Sequence, residues 1–156
     1  MAGFFTLALP QSSKKYTGPR PPKPDLPYLL HATNLIPTET GVASEEGRKD
    51  ETANVVKGNA SPARTPLPEP IFLLTAEKLV PEKLELYRLA VGKTGNRELS
   101  IPKNTKKMKE SMRPIRLSIA RLDSNLYRLE ATDLLENGPY CLSPSGSQEV
   151  FCFDVY

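Results

Sequence analysis

The segment Gly138 to Tyr156 constrains the fold more than any other part of the chain. It runs Gly-Pro-Tyr-Cys-Leu-Ser-Pro-Ser-Gly-Ser-Gln-Glu-Val-Phe-Cys-Phe-Asp-Val-Tyr. Two short runs rich in aromatic and β-branched residues flank a Gly/Ser/Pro turn, the pattern of a β-hairpin. Taking Gly146-Ser147 as a two-residue turn, with Gly supplying the positive φ, pairs Leu142 with Phe151, Tyr140 with Phe153 and Cys141 with Cys152. Alternation then places Tyr140, Leu142, Phe151, Phe153 and Val155 on one apolar face and the chain's only two cysteines on the other. Counted from that turn, Cys141 and Cys152 form a hydrogen-bonded pair with Cα atoms about 5.5 Å apart. That spacing admits a disulfide, in the less comfortable strand geometry. A disulfide and two small buried thiols both fit. Export would favour the bond, and so short a loop would gain only modest entropic stabilisation from it.

With 156 residues, one domain is expected. The chain holds 16 prolines and only 38% apolar residues, so one core is feasible but not over the whole length. The absence of Trp and the single histidine, His31, argue against haem, multi-His metal and Ser/His/Asp chemistry. A lone His on a strand is ordinarily structural or exposed. The formal net charge of +3 is too small to imply a nucleic-acid partner. No apolar run reaches the length of a transmembrane helix. No cofactor motif is present, and no enzyme activity is expected.

The first ten residues, Met1-Ala-Gly-Phe-Phe-Thr-Leu-Ala-Leu-Pro10, are apolar and give way to Gln11-Ser-Ser-Lys-Lys. They read as the remnant of a signal peptide without its basic start; the alternative is a short apolar strand or tail. A leader implies a periplasmic or extracellular protein, and its absence a cytoplasmic one. Residues 11–27 carry Pro19, Pro21, Pro22, Pro24 and Pro27 and are expected to form an extended arm. Pro19-x-x-Pro22 also matches a short peptide-recognition motif, but a spacer explains it as well.

Tyr28 to Ile36 is a strand candidate between Pro27 and Pro37, expected to dock on a sheet edge. Residues 37–57 are polar and acidic and are expected to form a loop, with a helical turn capped at Ser44 and a weak strand at Ala53–Val56. Their carboxylates do not match calcium-loop spacing. Asn59-Ala-Ser61 is a glycosylation sequon. Ile71 to Thr75 reads as a buried strand. Leu84 to Val91 and Arg97 to Ile101 flank a Gly92–Asn96 turn and can pair as a hairpin. Gly92-Lys93-Thr94 resembles the end of a phosphate loop, but Tyr87 stands where its first Gly is required. Ile115, Leu117 and Ile119 alternate toward one face, and a turn at Asp123–Asn125 pairs Leu117 with Ala131, Ile119 with Leu129 and Arg121 with Tyr127.

Residues 103–116 hold Lys103, Lys106, Lys107, Lys109, Arg113 and Arg116 against one carboxylate, Glu110. Without an interleaved aromatic this is not a base-stacking surface. It is a solvated loop or an anion-binding one.

Repeated short strands separated by turn signals predict an all-β, antiparallel β-sandwich of immunoglobulin-like architecture over residues 28–156, with the Pro-rich arm before it. The stretches Asn137-Gly-Pro-Tyr-Cys-Leu-Ser-Pro-Ser-Gly, Val150-Phe-Cys-Phe-Asp-Val and Arg64-Thr-Pro-Leu-Pro-Glu-Pro-Ile-Phe-Leu resemble segments of uncharacterised secreted bacterial β-domain proteins. That resemblance implies no activity and no site residues. The expected function is a non-enzymatic, exported module that binds another protein or a copy of itself, or that helps to build an envelope structure. The alternative is a polyanion- or carbohydrate-binding module using the 103–116 loop or exposed tyrosines.

Overall fold

The computed structural model describes residues 15–156. The expected leader remnant, residues 1–10, lies outside them. The expected antiparallel all-β chain is found, with fourteen strands in three sheets among the described residues. The only helical segments there are single 3-10 turns.

The first sheet runs in the order β11 (Leu117–Arg121), β12 (Leu126–Ala131), β7 (Ile71–Thr75), β1 (Tyr28–His31) and β2 (Asn34–Pro37). The central sheet is β3 (Glu39–Val42), β14 (Glu149–Val155), β13 (Gly138–Pro144) and β8 (Leu84–Arg88); β6 (Arg64–Thr65) pairs in parallel with the end of β14. The third sheet is β4 (Ser44–Gly47), β5 (Glu51–Val56), β10 (Arg97–Pro102) and β9 (Ala90–Val91).

Period-two alternation in β13 and β14 fixes how the sheets are layered. Tyr140, Leu142, Phe151 and Phe153 meet Leu29, Phe72, Leu74 and Leu129 of the first sheet in the larger core. Phe153 sits edge-on to Phe72 and stacks on Tyr140, with ring centroids 5.1 and 5.7 Å away. The opposite face of the same strands supplies Cys141, Val150 and Cys152 to a smaller cluster with Ala43, Val56 and Leu89. The central sheet is thus covered on both faces, which is why Val150 to Phe153 is an unbroken buried run.

Both expected hairpin registers are present, including Leu142 with Phe151, Cys141 with Cys152 and Ile119 with Leu129. The closing turn differs by one residue. Ser147 N–H donates to Pro144 C=O at 3.0 Å, so Ser145 and Gly146 are the central residues, with Gly146 at φ 77°. Gln148 leaves the hairpin to bond the chain around Ala43. The Cys141 and Cys152 Cα atoms are 4.0 Å apart, nearer the roughly 4.5 Å of a non-hydrogen-bonded pair than the expected 5.5 Å. Leu117 and Ile119 are half-buried rather than buried, because β11 is an edge strand.

Three sequence expectations are corrected. Tyr28 to Ile36 is not one strand but the hairpin of β1 and β2, reversing at Ala32 with φ 57°. Its β1 docks on β7 within the chain. Residues 37–57 are not a loop: they form β3, β4 and β5, and Ser44 opens a strand instead of a helical turn. Their charges work as pairs, with Arg48 bonding Glu46, Glu51 and Glu98 across the third sheet. The run from Leu84 to Val91 bends at Leu89, whose N–H donates to Pro139 C=O. Only β9, beyond the bend, pairs with β10, while β8 joins β13.

The described part of the proline-rich stretch is tied to the first sheet's end. Arg20 pairs with Asp123 at 2.6 Å. The Asp25 carboxylate accepts the N–H groups of Glu77, Lys78 and Leu79. Burial pushes this carboxyl's pKa up, but the three N–H bonds and the Lys78 charge outweigh it and leave it below the usual range.

Arg97 is the largest fully buried side chain. Its guanidinium grips both oxygens of Glu39 at 2.7 and 3.1 Å and donates to the carbonyls of Gly58 and Lys57. Gly58 has φ 91°, and its N–H is held by Asn96. Removing one partner of such a pair strands a buried charge. Glu39→Ala is therefore expected to destabilise the fold by about 3 kcal/mol, at the low end for a buried pair because Glu39 is partly exposed. Urea denaturation measures it, and a loss under about 0.5 kcal/mol would be the outcome of a surface pair instead.

Candidate functional site: a cleft between the central and third sheets

The smaller core does not fill the space between the central and third sheets. Beyond it lies a cleft of about 380 Å³. Its apolar walls are Leu89, Cys141 and Val150 of the central layer, facing Val56, Leu99 and Ile101 of the third sheet. Its polar lining is Glu45, Asn54, Glu85, Tyr87, Ser143 and Gln148. Strand alternation places Glu85 and Tyr87 there: they point away from the larger core because Leu84 and Leu86 point into it.

Two hydrogen bonds shape the lining. Tyr87 O–H donates to Glu85 Oε1 at 2.9 Å. Gln148 Nε2 donates to Asn54 Oδ1 at 3.2 Å and to Ala43 C=O, tying the closing hairpin to the third sheet. Burial, followed by the Glu85 hydrogen bond and charge, pushes the Tyr87 phenol up to about 12. Cys141 and Cys152 are joined as a disulfide across β13 and β14, with Cys141 at the cleft wall.

The basic loop lies elsewhere. Residues 103–116 leave β10, make 3-10 turns at Thr105–Lys107 and Glu110–Met112, and return where Ile115 N–H donates to Leu86 C=O. Lys103, Lys106, Lys107, Lys109, Arg113 and Arg116 are all exposed. Among the described residues none of them forms an ion pair, and none lines the cleft. Half-buried Met112 lies beside Leu89 and Leu99 in a separate depression, and Ile115 packs against the larger core.

His31 is exposed at the end of β1. In the sequon, Asn59 is exposed, while Ser61 is buried and donates its hydroxyl to Cys152 C=O. Among the described residues no group of His, Cys, Asp and Glu side chains is placed to hold a metal, and no helix is long and apolar enough to cross a membrane. No family model, no curated protein and no solved structure matches the chain.

The cleft was not visible in the sequence. Its lining comes from strands of two different sheets, and no local pattern states which sheet a strand joins. The only usable signal was Glu85 and Tyr87, with their polar tips, alternating against Leu84 and Leu86.

The raised phenol carries a sign. A group whose folded pKa lies above its ordinary 10 adds stability that is complete below about pH 10 and is lost as the pH rises through about 12. Tyr87→Phe is expected to remove one late-ionising phenol from the ultraviolet titration and to flatten the fall in stability over that range. A Tyr87 that ionises near pH 10 would contradict the half-buried, Glu85-bonded geometry.

Proposed function

We propose that the protein is a non-enzymatic, exported β-sandwich module of immunoglobulin-like architecture, elaborated by a third sheet. It binds another protein, or a copy of itself, by accepting a strand, and serves envelope or structural assembly. The single observation that carries this reading is the open edge of β11. Leu122 N–H donates to Leu126 C=O and Thr132 N–H to Arg116 C=O. The antiparallel rule then turns the backbone groups of residues 118 and 120 toward β12 and those of Leu117, Ile119 and Arg121 outward. Ile115, next in the same outward series, already bonds Leu86 of β8. The ladder therefore starts and then stops, leaving three successive outward positions without a strand among the described residues. Their side chains Leu117 and Ile119 are half-buried and would be covered by an added strand. A disulfide between neighbouring strands supports an oxidising compartment, as does the resemblance to secreted bacterial β-domain proteins.

The test separates the edge from the packing. Ile119→Ala loses only the side chain, whereas Ile119→Pro also removes the outward donor without touching a bond to β12. Sedimentation equilibrium is expected to show association of the wild type and of Ile119→Ala, and none for Ile119→Pro. A wild type that stays monomeric to its solubility limit, with β11 amides that exchange equally fast in an envelope extract, would overturn the reading.

The exposed, unpaired cations of residues 103–116 favour a second reading, a polyanion-binding module. Replacing Lys106, Lys107 and Lys109 with Gln is then expected to weaken retention on heparin and to reduce the salt slope by about three ions' worth. Equal elution of the triple variant and the wild type would leave the loop as solvated surface only.

A further inference from the structure

We propose that the cleft between the central and third sheets binds a small amphipathic cation, an ammonium or guanidinium group carried on an apolar body. The chain as a whole is positive, yet among the described residues no Lys or Arg side chain lines this cleft. The two ionisable carboxylates that do, Glu45 and Glu85, form no ion pair among the described residues. Glu39, Glu46, Glu51, Glu98, Glu130 and Glu136 each pair with an arginine, whereas Glu45 and Glu85 face the cleft without one. These two unpaired carboxylates line a cavity, where field lines between low-dielectric walls concentrate.

The chemistry is asymmetric. Tyr87 holds one oxygen of Glu85 and so orients the carboxylate, leaving Oε2 free to accept from a ligand. Leu99, Ile101 and Val150 provide an apolar wall on which a hydrocarbon or aromatic body can rest. A volume of about 380 Å³ lies toward the small end of ligand cavities. An anionic head would face two carboxylates with no counter-charge. The site is separate from β11 and from the basic loop, so neither reading of the protein's partners is needed for it.

Two nearly isosteric probes isolate the charge: phenethylammonium and 3-phenylpropionate. Titrated into the intact protein and followed by amide and methyl chemical shifts, the cation is expected to perturb Tyr87, Leu99, Ile101 and Val150. The anion is expected to bind at least about tenfold more weakly. Glu85→Gln and Glu45→Gln should each weaken the cation by about two- to fivefold, the effect of a solvent-reachable ion pair, without lowering the melting temperature. Equal binding of the two probes by the wild type would overturn the proposal. So would shifts that map outside the cleft, or a folded double variant that binds the cation as the wild type does. Should either variant fail to fold, the comparison of the two probes on the wild type decides alone.

Discussion

Arg97 stands on the third sheet with no exposure to solvent, and its partners lie on other parts of the chain. Glu39 belongs to the edge strand of the central sheet, while Gly58 and Lys57 follow β5. A buried guanidinium must spend its donors on acceptors that are already in place. Those acceptors exist only when β3, β10 and the turn after β5 have all assembled. Apolar burial alone attaches the third sheet weakly. Its shared cluster has Val56, Leu89 and Val150 as its main aliphatics, each worth about 1.5–3 kcal/mol when fully buried. Stranding the arginine costs about 3–5 kcal/mol, comparable to one or two of those side chains. The ion pair therefore acts chiefly as a specification: it admits one placement of the third sheet and penalises slipped ones.

That placement creates the cleft. If the third sheet lay flat on the central one, the space between Leu99 and Val150 would be core. Instead the sheet is pinned on one side by Arg97 and tied at the hairpin end by Gln148. The disulfide contributes on the central side only. It joins neighbouring strands already in register, at a sequence separation of 11. Loop-closure entropy assigns such a bond about 2–3 kcal/mol. It stiffens the cleft wall at Cys141 without holding one sheet to another.

What the sequence disclosed was local, and what it concealed was the choice of neighbour. The β13–β14 and β11–β12 registers were legible because alternation and a turn together determine which residues face each other. Ala53–Val56 was legible as part of β5, but β4 was concealed because Glu45 and Glu46 are exposed on a two-sided polar ribbon, where no apolar face marks the period. The hairpin at Ala32 was concealed because an alanine in left-handed backbone carries no turn signature. The bend at Leu89 was concealed because a strand that changes sheets remains continuous in sequence. The cleft inherits all these obscurities, since Glu45, Glu85 and Leu99 meet only through tertiary placement. The cations of 103–116 were legible as a cluster because they are adjacent in the chain.

Edges of a sheet are ordinarily blunted, and the edges in this fold are blunted unequally. The outer strand β4 is short and carries Glu45 and Glu46, both exposed, so a neutral or acidic strand approaching it would meet like charge or a desolvation cost. The outer strand β2 ends in Pro37, which offers no N–H at that position. β9 is two residues long. β11 has none of these devices within its central three residues, Ser118, Ile119 and Ala120. Its flanking arginines, Arg116 and Arg121, repel only a basic partner. An incoming strand that is neutral or acidic would gain the outward backbone groups and cover Leu117 and Ile119 at once. Were a strand to add at β11, as proposed, charge would select its sign and the pleat its apolar face.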